Sequence, residues 1–245
     1  MRRYGPQSLA YSFGPGPITP AVKWIIWANV VMFVVTLVLG ERVVFPPLGL
    51  APSSVVEHGW VWQIVTYMFL HAGAMHILFN MLGVWMFGVE LERLWGTKFF
   101  LRYYAVTGIG AAVTTLVVSF LPFDFAQSVY ASLTVGASGA LYGILLAFAM
   151  YYPNRPILMM LLFPVPAKYF VIIIGALSFA TGGGGVAHAA HFGGLLFGFL
   201  YLRKGGGGSL TAEVKYRYLK WKMNRLRRKF DVYSGGRGDW DRHVH

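Results

Sequence analysis

The sequence predicts an all-α membrane protein built as a bundle of six transmembrane helices. Three observations predict it. Of the 245 residues, 56% are hydrophobic and only 12% are charged, whereas soluble domains carry about 25% charged residues. The apolar residues gather into segments close to the length of about 20 residues that a bilayer-spanning helix needs. The formal net charge of +12 is unevenly spread: cations crowd into roughly the last forty positions, with a few near the start, as the positive-inside bias of cytoplasmic segments predicts. That distribution argues for a lipid bilayer and against nucleic acid as the partner of the basic residues. With no cysteine in the chain, disulfides, thiolate metal sites and a cysteine nucleophile are excluded.

Residues 1–21 hold two arginines and many turn formers but no apolar stretch of signal-peptide type, so they read as a flexible cytoplasmic lead-in. The first span covers 22–40, with Lys23, Trp24 and Trp27 at one interface. Residues 41–74, broken by Pro46, Pro47 and Pro52, read as an amphipathic connection lying in the interface. The second and third spans follow at 75–94 and 99–119, separated by a charged turn with Glu90, Glu92, Arg93 and Lys98. An outer loop at 120–134 leads to the fourth span, 135–151, and Asn154 and Arg155 mark an inner turn. Residues 156–166 are apolar but interrupted by three prolines, too short for a crossing and therefore an inner interfacial segment. The fifth span is 167–180, TGGGG at 181–185 a mobile outer loop, and the sixth span 187–202. Residues 22–204 thus form the six-span core and 205–245 a basic cytoplasmic tail, with a GGGG linker and a cationic helical stretch at 210–230. Both termini are expected in the cytoplasm, so the second, fourth and sixth spans start on the outer side.

Ionisable and strongly polar groups inside spans are costly and mark candidate sites. Here they are His76, Asn80, Ser138, His188 and His191, all in the first turns of the second, fourth and sixth spans. Under the predicted topology they share one depth. Ser138 opens a helix, where unpaired backbone N–H groups and the helix dipole favour a developing negative charge. Gly136 and Gly139 flank it and would admit a substrate backbone. His191, Gly194 and Gly198 share one face of the sixth span, and Gly139 and Gly143 one face of the fourth. Small-residue faces let membrane helices approach closely; if these two meet, His191 reaches Ser138 and Tyr142 can hold its ring. No carboxylate shares that depth, which favours a Ser-His dyad over a triad. His71 and His188 raise a zinc alternative, but no His-Glu-x-x-His occurs, so neither a metal nor another cofactor is expected.

These motifs can be compared with known families. His71-Ala-Gly-Ala-Met-His76-Ile-Leu-Phe-Asn80, Gly136-Ala-Ser138-Gly-Ala-Leu-Tyr142-Gly143 and His191-Phe-Gly-Gly194-Leu-Leu-Phe-Gly198 resemble, in order, the three motifs of the rhomboid family of intramembrane serine proteases. The turn Glu92-Arg-Leu-Trp-Gly96 is also similar. The resemblance runs from about 22 to 204, is specific because three motifs each open the correct alternate span, and leaves the tail outside. It implies Ser138 as nucleophile, His191 as base, and His76, Asn80 and the Ser138 amide as oxyanion hole. It also implies that Tyr142 packs on the histidine, that 41–74 is membrane-embedded, and that the fifth span with the 181–185 loop gates access. The expected activity is cleavage of transmembrane segments of other membrane proteins near the outer face of a prokaryotic cytoplasmic membrane. Two rivals are a non-catalytic escort of the same fold and a metal transporter built on the histidines. The sequence leaves the substrates, the oligomeric state and the role of the tail open.

Overall fold

The computed structural model describes residues 14–159, 163–181 and 185–203, and beyond them Met223 alone. The chain divides into Met1–Lys204 and Gly205–His245; apart from Met223, the described residues all belong to the first unit. The expected linker at 205–208, the cationic helix at 210–230 and most of the 181–185 loop lie outside the described residues.

Helix α1 (Pro20–Leu39) starts with a proline in its first turn and stops at Gly40, whose φ is +88°. Both are expected helix boundaries, since proline lacks a donor that the first turn would leave unused and glycine tolerates positive φ. The helix is apolar on all sides, and Trp24, Leu37 and Val38 are more than two-thirds exposed. An apolar helix with so little buried against protein is stable only against lipid. Its one buried amide, Asn29, faces the bundle and donates to the Ile25 carbonyl at 2.8 Å.

The segment predicted as an interfacial connection breaks into α2 (Glu41–Leu48), α3 (Pro52–His58), α4 (Gln63–Thr66) and a 3-10 turn, Tyr67–Phe69. Helix α2 leaves orphan carbonyls at its end, and apolar surroundings make orphans expensive. Three side chains satisfy them: Gln63 donates to the Pro46 carbonyl at 2.9 Å, the Trp62 indole to Pro47 at 2.8 Å, and the Thr66 hydroxyl to Leu48 at 2.6 Å. Leu50 then pairs with Thr134 through two backbone hydrogen bonds of 2.9 and 2.8 Å, tying this connection to the chain just ahead of Ser138.

Helices α5 (Ala74–Trp95) and α6 (Thr97–Ser119) match the second and third predicted spans within two residues. Among the described residues, α1, α5 and α6 are long and apolar enough to cross a membrane. The connection expected as a loop at 120–134 carries a short helix, α7 (Asp124–Ala131). Helix α8 (Ser138–Tyr151) begins three residues later than the predicted fourth span. It sits amid the bundle, packed on α5 and α6, on α9 (Ala167–Thr181) and on α10 (Gly185–Arg203).

Two expectations are corrected. Residues 156–166 form an antiparallel hairpin, β1 (Pro156–Met159) on β2 (Phe163–Pro166), so the fold is mostly rather than wholly helical. Pro156 faces Pro166 and Leu158 faces Pro164; the prolines that rule out a helix are tolerated in a two-stranded ribbon whose strands are both edges. The second correction concerns the lead-in, of which residues 14–19 are held fast. The Glu92 carboxylate accepts from the Thr19 hydroxyl at 2.5 Å and from the Ala21 and Val22 amides at 2.9 and 3.0 Å, and from Thr97 at 2.8 Å. It therefore caps the start of α1 and, with the same charge, holds the Thr97 hydroxyl where α6 begins. Its neighbour Arg93 donates to the Pro15 carbonyl and, at 2.8 Å, to Pro17.

Candidate active site

The site is built where α8 begins. Gly136 has φ +123°, a conformation that L side chains rarely adopt, and its amide donates to the Tyr67 carbonyl at 2.9 Å. A Cβ added there would stand 2.7 Å from His76 Nε2, so the His76 ring lies directly over the backbone two residues ahead of Ser138. The glycine is required twice, by its dihedral and by the ring above it. No side chain caps the helix at Ala137, which leaves the opening N–H groups of α8 directed past Ser138.

Helix α10 meets α8 along the two small-residue faces. A Cβ on Gly194 would stand 1.9 Å from the Gly139 carbonyl oxygen, and one on Gly198 would stand 3.3 Å from Gly143 Cα. The backbones touch, and with them the residues just ahead of Gly139 and Gly194 in the chain: His191 Nε2 and Ser138 Oγ are 2.9 Å apart. The Tyr142 ring stacks on the imidazole with centroids 4.2 Å apart and planes 14° from parallel. Packing beneath is fixed by α6, whose Tyr103 hydroxyl donates to the Gly143 carbonyl at 2.7 Å.

Comparison with known proteins gives the family. The rhomboid domain family matches residues 58–205, more than half of the chain. The chain belongs to the rhomboid family. Among its relatives, Rhomboid protease GluP of Bacillus subtilis is 32% identical over 151 residues, covering 62% of this chain and 27% of that protein. Rhomboid protein 1, mitochondrial, of Saccharomyces cerevisiae is 32% identical over 144 residues, 57% of this chain and 40% of that protein. Rhomboid protease AarA of Providencia stuartii is 32% identical over 151 residues, 57% of this chain and 54% of that protein. The chain thus aligns with between about a quarter and a half of these relatives' lengths. The family match starts at His58, so α1 and α2 lie ahead of it.

Within this rhomboid, the predicted site residues fall into two groups. Ser138, His191, Tyr142, Gly136, Gly139, Gly194 and Gly198 lie at the α8–α10 seam, with His76 beside it. Asn80 lies one turn further along α5, where its amide donates back to the His76 carbonyl at 2.8 Å; its Oδ1 is buried without a partner. The second N–H of that amide remains to be given elsewhere. His71 is fully buried and meets the His76 ring edge-on at 4.8 Å, a support for that ring. Among the described residues no group of three or more His, Cys, Asp or Glu side chains converges as a metal site would require.

One residue was not anticipated. Ser178, near the end of α9, places its hydroxyl 3.0 Å from His191 Nδ1. The Tyr142 hydroxyl also reaches α9, 3.4 Å from the Ile174 carbonyl. A cavity of about 300 Å³ opens between α8, α9 and α10, lined by Tyr142, Gly175, Ser178, His188, His191 and Phe192 among others. The signal that could have found Ser178 is weak: it is a hydroxyl near the end of an apolar span, at the same predicted depth as the other polar groups.

Proposed function

We propose that this rhomboid is an intramembrane serine endopeptidase that cleaves transmembrane segments of other membrane proteins through a Ser138–His191 dyad. The observation that carries this reading is the 2.9 Å contact between Ser138 Oγ and His191 Nε2 at an uncapped helix start. In the proposed reaction Ser138 Oγ attacks the scissile carbonyl carbon while its proton passes to His191 Nε2. The oxyanion forms against the Ser138 amide, with His76 and the free N–H of Asn80 as further donors. The C–N bond then breaks as Nε2 returns the proton to the leaving amine, and water hydrolyses the acyl-enzyme by the same steps. Stacking on Tyr142 keeps the imidazole from turning away.

Six spans with both termini cytoplasmic complete the proposal. Arg93, Lys98, Arg102, Arg155, Lys168 and Arg203 fall at helix ends or turns on the side opposite Ser138, which supports that side as cytoplasmic, in a prokaryotic plasma membrane. Helix α8 has 14 residues, or about 21 Å at 1.5 Å per residue, less than the hydrocarbon thickness of about 30 Å. With its charged end at the inner surface, its start lies below the outer one. Substrate spans would enter the α8–α9–α10 cavity sideways from lipid, and water would arrive from outside. The fifth span and the following loop would act as the gate.

The test is cleavage of a transmembrane reporter by the detergent-purified protein, with Ser138→Ala and His191→Ala alongside. Each substitution is expected to lower kcat by roughly 10³-fold or more, chelator to change nothing, and a fluorophosphonate to label Ser138. Undiminished cleavage by both variants would overturn the assignment.

A further inference from the structure

We propose that Ser178 is a positioning residue for His191, and that it couples the aim of the imidazole to the seating of α9. This rests on the peptidase reading above. For Nε2 to accept the Ser138 proton it must be unprotonated, so in the neutral ring the proton resides on Nδ1. Nδ1–H then needs an acceptor, because a buried donor left unpaired is costly. The acceptor in reach is the Ser178 oxygen at 3.0 Å. No carboxylate lines the cavity on that side, so a neutral hydroxyl takes the place that an acid occupies in a triad. The choice of a neutral group is physically sensible here, since a second ionised group would be expensive at this depth. The cost is a weaker hold on the imidazolium that forms when Nε2 is protonated, which makes the geometry of this one bond matter.

The three groups of the relay come from three helices of unequal rigidity. Ser138 and His191 ride on α8 and α10, whose backbones are in contact at Gly139 and Gly194. Ser178 rides on α9, which turns Ile172 and Leu177 outward at 66% and 50% exposure and has the cavity beside it at Gly175, Ala176 and Ser178. Polar contacts that bring α9 to the site include Ser178 to His191 and to the Tyr142 hydroxyl, and Tyr142 to the Ile174 carbonyl, which is long at 3.4 Å. When α9 swings away, His191 keeps its stack on Tyr142 but loses the acceptor that fixes its tautomer. The site would therefore be fully armed only with α9 closed.

The experiment uses the full-length protein in detergent, with a transmembrane reporter substrate and with ¹⁵N-labelled histidine. His191→Gln identifies the His191 ring signals by their loss. In the wild type the His191 spectrum should show a protonated Nδ1 and a bare Nε2. Ser178→Ala should mix the two tautomers, lower kcat about tenfold and move KM less than twofold, the size expected for one neutral hydrogen bond. Ser178→Thr, which retains the hydroxyl, should restore both readouts. Cleavage through Ser138 combined with an unchanged tautomer and kcat in Ser178→Ala would overturn the role of Ser178 alone. A wild type inactive on every transmembrane reporter, with Ser138 unlabelled, would overturn the peptidase reading and this role with it.

Discussion

The two seams that meet at His191 are made in opposite ways. On one side α8 and α10 approach until backbone touches backbone, through Gly139, Gly143, Gly194 and Gly198. On the other, α9 stands off across a cavity and reaches the imidazole with a single hydroxyl. In a bilayer, helices gain nothing by hiding apolar surface from lipid tails that are equally apolar, so close van der Waals packing and interhelical hydrogen bonds must hold them. The glycine seam uses the first resource and fixes Ser138 to His191. The α9 seam has little of either, and that looseness leaves room for something as large as a peptide segment to come between.

The strongest way to break the glycine seam is Gly194→Ala. Its new methyl would fall 1.9 Å from the Gly139 carbonyl oxygen, a backbone atom that cannot swing aside as a side chain could. The helices must separate, and overpacking of this kind costs about 1–3 kcal/mol and often more. We expect a fall in the thermal midpoint in detergent, loss of fluorophosphonate labelling at Ser138, and no recovery of either on adding substrate. A variant that melts and labels like the wild type would show that the seam tolerates separation.

This contrast explains which parts of the molecule could be read from the sequence. Ser138, His191 and the glycines beside them stood out because polar groups and four-residue small-residue spacing are rare signals in apolar segments. Glu92 was visible as a charge in a turn, but not as the cap of the α1 start, since its bonds to Thr19 and Ala21 span more than seventy positions. The hairpin at 156–166 was hidden because its prolines report only what cannot form there. Ser178 was overlooked for a chemical reason: a serine in an apolar helix can satisfy itself on its own helix backbone, so its presence alone carries little information. Asn80 shows the same ambiguity from the other direction. Its residue type suited an oxyanion hole, whereas the structure has one of its N–H groups on the His76 carbonyl.

Between the seams lies Tyr142, buried, with its ring on His191 and its hydroxyl towards α9. Tyr142→Phe and Tyr142→Leu separate those two duties. The phenylalanine keeps the stack and gives up the hydroxyl's ties to α9, the 3.4 Å contact with the Ile174 carbonyl and the hydrogen bond with Ser178, so kcat should fall less than about threefold, within the weak end of the hydrogen-bond range. The leucine removes a ring contact of the kind that contributes about 0.5–1.5 kcal/mol, so kcat should fall roughly two- to tenfold, with both variants melting near the wild type. If the two variants behaved alike, the hydroxyl's tie to α9 rather than the stack would be what holds the histidine.

The smallest effect should come from the outer face of α9 itself. Ile172 is 66% exposed on a helix with few protein neighbours, and in the membrane its side chain exchanges protein contact for lipid contact at nearly no difference. Ile172→Ala should therefore shift folding stability by no more than about 0.5 kcal/mol, as a surface substitution does, where a methyl added at Gly194 has a large effect. Any change it makes should appear in substrate turnover, because thinning the lipid-facing side of α9 alters how readily the helix moves and leaves the α8–α10 contact untouched. A melting shift as large as that of Gly194→Ala would mean that α9 is bound into the bundle as firmly as its neighbours, and the two seams would then differ in geometry without differing in strength.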